Sequence, residues 1–286
     1  MTDFNPDDER PDVPPPELRY RRRVGLRSAA SQLWAARGMV ESSAQRALRS
    51  RYQRNLLGPL WVLISPIAYL LVFTTFLRRV VQIDTGGVPY PLFIYTAMVP
   101  WQFFTAALNN GSTSIVSNLA LIRKFRAPSE VYPIAMVVVA AIDAVVVALV
   151  LPVFFIFSGK WPTLTILWIP LILLIELVVI MAPVLLLSAL MPYLRDLRQF
   201  VPLALQIGFL CTPIAYSVDS IPKGSRVWLS IVNPMIPVVD SFRRCLVYGR
   251  SPDWGLLGVG LLSASALFVV GYFAFRRLEV GFADVA

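Results

Sequence analysis

The sequence predicts an all-α membrane protein of six transmembrane helices, with an N-terminal amphipathic interface helix and short re-entrant helices in its last outer loop. Two observations carry that class. Of 286 residues, 57% are hydrophobic, 15% are charged, and mean hydropathy is +0.66, whereas a water-soluble domain is about 45–50% apolar and 25% charged. Charge-free runs extend from Asn55 to Leu77, Thr85 to Ile122, Gln199 to Val218 and Trp254 to Phe275, and two more apolar runs are each interrupted by one acid, Asp143 or Glu176. Since about 20 apolar residues cross a bilayer core, the six runs read as spans. A soluble globular protein, a secreted disulfide scaffold and a single-anchor enzyme are excluded.

Residues 1–25 begin MTDFNPDDERPDVPPPE, acidic and Pro-rich with little to bury, which predicts a disordered cytoplasmic tail. It lacks the basic start and immediate apolar run of a signal peptide. Over 26–55, Leu26, Ala30, Leu33, Val40, Ala44, Ala47 and Leu48 recur near helical spacing among arginines, the pattern of an amphipathic helix lying on a membrane face. The membrane domain covers 56–277, with spans near 56–77, 91–117, 131–157, 163–190, 199–216 and 254–275, and 278–286 forms a cytoplasmic tail. With the N-terminus inside, 18 basic residues fall on the cytoplasmic side and 8 outside, which places both termini in the cytoplasm. Between Ser217 and Asp253, RVWLSIV and the run from Ile236 to Tyr248 are too short to cross and are broken by Pro222, Pro234 and Pro237, so they dip into the membrane or re-enter.

The net charge of +9 could suggest nucleic acid, but the arginines sit beside apolar segments, so anionic lipids explain the charge and no nucleic-acid partner is expected. Cys211 and Cys245 have no metal-ligand spacing and read as two unpaired thiols. Histidine is absent, which closes every His-dependent triad or zinc scheme to this chain alone. No GxxxxGK[ST] occurs and no DxxD lies in a cytoplasmic loop, so neither a P-loop nor a magnesium-diphosphate transferase site is legible. The expectation is no catalytic residue, no metal and no cofactor in this chain.

Asp143 and Glu176 fall near the middle of the third and fourth spans, where a charge costs at least about 2.5 kcal/mol. Either they form a proton relay or ion site, or they are interhelical glue or protonated acids; a single acid per helix without Lys or His makes a poor relay. Asn109, Asn110 and Ser112 lie at similar depth on the second span and are the expected partners of Asp143. Tyr69, Phe73 and Phe76 share one face of the first span, while Tyr95, Trp101, Phe103 and Phe104 crowd the second. Such rings could line a path for a carbohydrate, or belong to an interfacial belt and helix packing. The short loops LIRKFRAPSEVYP and PYLRDLRQFVP are either positive-inside anchors or partner-docking surfaces.

Several stretches taken together resemble one family. RALRSRYQRNLLGPLWVLISPI, KFRAPSEVYPIAMVVVAAIDAVV, RDLRQFVPLALQIGFLCTPIAY and NPMIPVVDSFRRCLVYG occur in the order of the corresponding segments of Wzm-type permeases. These are membrane subunits of ABC transporters that export lipid-linked O-antigen, teichoic acid and related polysaccharides, and the resemblance covers roughly residues 30 to 280. It implies a homodimer with two copies of a separate ATPase, which would hold ATP and magnesium, around a channel for a polyprenyl-diphosphate-linked polysaccharide. It further implies ATPase coupling through Arg123, Lys124, Phe125, Arg126, Pro128 and Glu130, with Arg195, Asp196 and Arg198 as a second contact. Gate helices would lie between Ser217 and Tyr248. Tyr69, Phe73, Phe76, Trp101, Phe104 and Tyr216 would line the channel, and Asp143, Glu176 and Asn109 would be its intramembrane polar residues. Arg49, Arg51 and Arg54 would meet the substrate diphosphate, because guanidinium binds phosphate in a bidentate manner; plain attraction to anionic lipid is the competing account. Arginine-rich, histidine-free, Ala/Val-rich composition with an acidic tail suggests an actinobacterial cell-wall galactan exporter. Two other classes remain: an ion-coupled secondary transporter or channel using Asp143 and Glu176, and a membrane transferase.

Overall fold

The computed structural model describes residues 31, 33–52, 58–77, 85–124 and 128–282. The described residues form helices joined by turns and loops, without a β-strand. Helix α1 spans Arg37–Tyr52, α2 Trp61–Val72, α3 Tyr90–Ser112, α4 Ser114–Ser117, α5 Leu119–Lys124 and α6 Val131–Ala148. After these come α7 Leu151–Ser158, α8 Ile169–Leu190, α9 Leu197–Cys211, α10 Lys223–Val232, α11 Met235–Leu246 and α12 Trp254–Leu278. Among the described residues, four helical segments are long and apolar enough to cross a membrane: Tyr90–Ser112, Val131–Ser158, Leu164–Leu190 and Trp254–Gly281. Two shorter apolar helices, Trp61–Phe76 and Leu197–Cys211, occupy the expected first and fifth spans.

Each departure from the expected spans has a local cause. The third span bends where α6 gives way to α7, because Pro152 in the first turn of α7 cannot donate into the helix ladder. The buried Tyr95 hydroxyl donates to the Val147 carbonyl, 3.0 Å away, beside that bend. The expected fifth span, 199–216, stops as a helix at Cys211: Thr212 precedes Pro213 and takes the extended conformation, φ −93° and ψ 137°, as a residue before proline is steered to do.

Helix α3 is the centre of the bundle. In its most apolar window 72% of residues are buried, against 28% for α12, and it packs on α2, α6, α8, α9 and α11. Phe93, Ile94, Tyr95 and Ala97 are fully enclosed there. Helix α8 packs along α12 on its other side, and at Gly271 the approach is so close that an added Cβ would lie 2.8 Å from the Ala182 carbonyl oxygen. Small residues permit this backbone contact between membrane helices.

Two short helices fill the connection between Ser217 and Asp253. Helix α10 has 10 residues and α11 has 12, about 15 and 18 Å, too short to cross. Eleven of the twelve α11 side chains are buried, so this helix is packed within the protein on nearly every side. Helix α1, in the segment expected as an interface helix over 26–55, packs along α6. Ala44 packs with Ala135 and Val139 of α6, and Arg51 and Tyr52 reach Asp143. The two helices therefore run side by side over two turns.

Replacing Gly271 with Ala should force α8 and α12 apart and lower stability by about 1–3 kcal/mol, the usual range for overpacking. A Cβ at Gly258 meets nothing within 4 Å, so Gly258→Ala should leave thermal unfolding in detergent unchanged.

Candidate functional site

Asp143 lies twelve residues into α6 from Val131, about 18 Å along the helix axis, and is 2% exposed. Its partners are not the expected Asn109, Asn110 and Ser112. Arg51 Nη1 donates to Oδ2 at 2.7 Å and the Tyr52 hydroxyl donates to Oδ1 at 2.5 Å. Burial, followed by the bond to Asp143, pushes the Tyr52 hydroxyl up to about 12. Asn109 and Asn110 face the same place at one remove: with Arg51 and Asp143 they line a cavity of about 240 Å³ between α1, α2, α3 and α6. Gln102, Thr105, Ser65 and Trp61 add to its wall, and Val62, Ala106, Ala144 and Val147 supply an apolar part of it. Ser112 is buried and bonds to the Asn109 carbonyl instead.

This geometry alters the assignment of Arg51. Its guanidinium is in contact with a buried carboxylate, so part of its charge is already matched within the chain. Arg49 is exposed on α1, and Arg54 lies outside the described residues. Glu176 is fully buried in α8, and its carboxylate oxygens have no hydrogen-bond partner among the described residues.

Most of the singled-out aromatics meet in one cluster joining α2, α3 and α9. Tyr69 stacks on Phe209 with ring centroids 5.0 Å apart, and Phe73 lies 5.7 Å from the same ring. Trp101 meets both Phe104 and Phe209. Phe209 is the hub that sequence reasoning passed over; its place in the apolar run QIGFLC gave no periodic signal. Phe76 is 69% exposed, and Tyr216 lies apart, its hydroxyl donating to the Cys211 carbonyl at 3.2 Å.

The two loops expected to meet an ATPase lie at one end of the molecule because α12 holds both. Tyr193, before α9, donates to the Leu278 carbonyl at 2.8 Å. The Ser129 amide donates to Glu279 at 3.2 Å, and Arg276 Nε lies 2.9 Å from a Glu130 oxygen. That last contact is an ion pair by distance without hydrogen-bond alignment. Glu130 is 1% exposed; burial, then Glu279, raises its carboxyl above the usual range despite Arg276. Its side chain therefore anchors the loop to α12 and is not a surface contact. Arg123 is exposed and Pro128 half-buried. Lys124 closes α5, and Phe125 and Arg126 lie outside the described residues. Arg195, Asp196 and Arg198 are all exposed around the start of α9.

At the opposite end, a residue counted in the sequence as one more outer-loop cation is enclosed. Arg243 of α11 is 1% exposed. It donates to the carbonyls of Phe93 (3.3 Å), Pro213 (3.0 Å), Ile214 (2.9 Å) and Tyr216 (3.3 Å). Its guanidinium carbon lies 3.6 Å from the Phe93 ring centroid. Pro213 and Ile214 follow the point where α9 unwinds, so their carbonyls lack helical partners and a planar fork of donors suits them. Asp240, one turn earlier, pairs with Arg244 at 2.6 Å. No group of three or more His, Cys, Asp or Glu that could hold a metal ion occurs among the described residues.

Residues 40–247 match the ABC-2 type transporter family. The chain belongs to that family. It is 28% identical over 239 residues to an O-antigen export system permease protein RfbA of Klebsiella pneumoniae, covering 83% of this chain and 91% of that one. It is 29% identical over 228 residues to RfbA of Myxococcus xanthus, covering 78% and 85%. The polysialic acid transport protein KpsM of Escherichia coli is 22% identical over 245 residues, covering 84% and 93%. As an ABC-2 permease the chain is a multi-pass membrane protein that implies a partner ATPase subunit. The family match contains Arg51, Asp143 and Arg243 and stops before α12, so the helix that holds both loops lies outside it.

Removing Arg51 from this permease leaves a buried carboxylate with no cation and, among the described residues, only the Tyr52 hydroxyl as donor. Arg51→Ala should cost about 3 kcal/mol, the lower end for a broken buried pair, because the Arg51 side chain is 42% exposed. Adding Asp143→Asn should recover much of that loss, a coupling readable in a double-mutant cycle of unfolding. Arg243→Lys keeps the charge and loses the fork; the unfolding midpoint should fall by several degrees, corresponding to about 2 kcal/mol. Arg244→Lys, at a half-buried site, should move it far less.

Proposed function

We propose that this chain is the membrane-spanning permease of an exporter that moves a polyprenyl-diphosphate-linked polysaccharide outward from the cytoplasm. ATP would be hydrolysed, with magnesium, on two copies of a separate ATPase subunit, and the permease would have no ATPase site of its own. The observation that carries this reading is kinship along nearly the full length of permeases named for exporting O-antigen, joined by a transporter of a chemically different glycan. The shared feature of those cargoes is a long polyhydroxyl chain. The glycan would be of O-antigen, teichoic acid or galactan type.

In this reading the protein lies in the bacterial inner membrane with both termini cytoplasmic, and α2 and α9 complete six crossings. Their apolar faces favour a homodimer: Ile64, Ile67 and Leu71 on α2, and Phe200, Leu203, Ile207 and Leu210 on α9, are exposed within a single chain. Arg49 and Arg54 remain the cations for the diphosphate and for anionic lipids, while Arg51 shares its charge with Asp143. The ATPase would dock on residues 123–128 and on Arg195, Asp196 and Arg198, with Glu130 and Arg276 passing the motion to α12. The aromatic cluster of Tyr69, Phe73, Trp101, Phe104 and Phe209 would flank the route, and α10 and α11 would gate its outer end. The ion-coupled alternative is weakened because Asp143 already has a cationic partner, which leaves it Glu176 alone.

Deleting the gene in its own host should leave the lipid-linked glycan inside the cell, and re-expressing the chain should return it to the surface with a stoichiometric ATPase co-purifying. Normal surface glycan in the deletion strain would refute the assignment. For topology, Lys223→Cys and Asp196→Cys are suitable reporters because both positions are exposed. In a Cys211→Ser background, an impermeant thiol reagent should label the first from outside and leave the second unlabelled; the reverse pattern would invert the topology.

A further inference from the structure

We propose that the cavity between α1, α2, α3 and α6 is a binding site for the hydroxyl groups of a sugar ring, and not for phosphate. The proposal rests on the export reading and adds a location and a recognition chemistry to it.

The site has a volume of about 240 Å³, equal to roughly eight waters at about 30 Å³ each, which suits one hexopyranose unit. Its charge is balanced. Arg51 and Asp143 touch at 2.7 Å, so an anion approaching the guanidinium would also meet a carboxylate. A neutral polyol meets no such penalty, because a hydroxyl can accept from the guanidinium and donate to the carboxylate. The remaining wall has the same mixed character. Asn109 and Asn110 each offer a carbonyl and an amide, and no hydrogen bond from either side-chain carboxamide to another described residue is present. Gln102 supplies a third carboxamide and already accepts from Thr105 at 3.2 Å. The carboxamides of Asn109, which is exposed, and Asn110, which is half-buried, are open to exchange solvent for the hydroxyls of a ligand. Trp61, 52% exposed, provides a flat apolar face at the rim, the surface on which the CH side of a pyranose packs.

The geometry also fixes the order of dependence. Arg51 and Tyr52 hold Asp143 in one orientation, so the carboxylate oxygens are set before any ligand arrives. The carboxamides of α3 face them across the cavity and define the spacing at which a ring can bridge the two helices.

The test uses the full-length chain with its ATPase subunit in phosphatidylcholine nanodiscs. Methyl β-glucopyranoside, methyl β-galactopyranoside and inorganic diphosphate serve as probes, with saturation-transfer NMR as the readout. At least one glycoside should bind saturably, and diphosphate should not displace it. Asn109→Ala with Asn110→Ala, which removes groups with no internal bond, should weaken the glycoside by about tenfold. Ala106→Trp, which fills the cavity from α3, should abolish binding even if the alanine pair perturbs folding. Absence of saturable binding by both glycosides, equal affinity in both variants, or displacement by diphosphate would each overturn the proposal. Export in the re-expressed host separates the two levels: if export is restored while no glycoside binds, only the cavity assignment falls, and if export is not restored, the export reading falls whatever the glycosides do.

Discussion

A carboxylate held in the middle of an apolar helix requires a partner, and in this protein that requirement shapes one side of the fold. Asp143 has no cation on its own helix within reach, and the nearest supply is the arginine-rich segment that precedes the first span. Meeting Asp143 draws Arg51 and Tyr52 alongside α6, and the rest of α1 follows, with Ala44 settling on Ala135 and Val139. Small side chains at that crossing let the helices approach closely. The same pairing leaves a polar cavity beside it. An electrostatic constraint thus places a helix, and the placed helix closes one wall of the candidate site.

The opposite end obeys a related rule with a different solution. Proline 213 ends α9 early and strands backbone carbonyls, and a cation without a touching carboxylate satisfies them: Arg243 spans α11, the end of α9 and the start of α3. Backbone freed from helical pairing is tolerable in a membrane protein only when something else satisfies it. At the cytoplasmic end expected from the basic residues, Arg276 sits between Glu130 and Glu279 and joins the loop before α6 to α12. Three arginines therefore fasten three helix junctions, and each carries positions that a moving permease would have to displace together.

The membrane class, the order of the helices and the failure of the Ser217–Asp253 connection to cross were legible because they depend on run length and charge content, which are local properties. Tertiary partners were not. Asp143 was legible as a residue in need of compensation, but its partner lies 92 positions away on a helix whose amphipathic pattern is equally compatible with lying flat. Arg243 was masked by its neighbours: beside Arg244 and Arg250 it looks like ordinary loop charge, although the apolar run from Ile236 around it was the available signal of burial. Glu130 sits in a charged loop that reads as surface, and only the position of α12 encloses it. The aromatic residues were found singly, whereas their common neighbour Phe209 becomes visible only when α9 is packed against α2 and α3.

The central claim is that Arg51 and Asp143 are in direct contact in the folded protein. It is tested most directly by solid-state NMR recoupling between guanidinium nitrogen-15 and aspartate carboxyl carbon-13 in bilayers, comparing the native chain with Asp143→Asn. The account predicts a short-range Arg–Asp signal, corresponding to atoms within about 4 Å, that loses one component in the variant while that of the Arg244–Asp240 pair remains. Identical recoupling in the two proteins would contradict it.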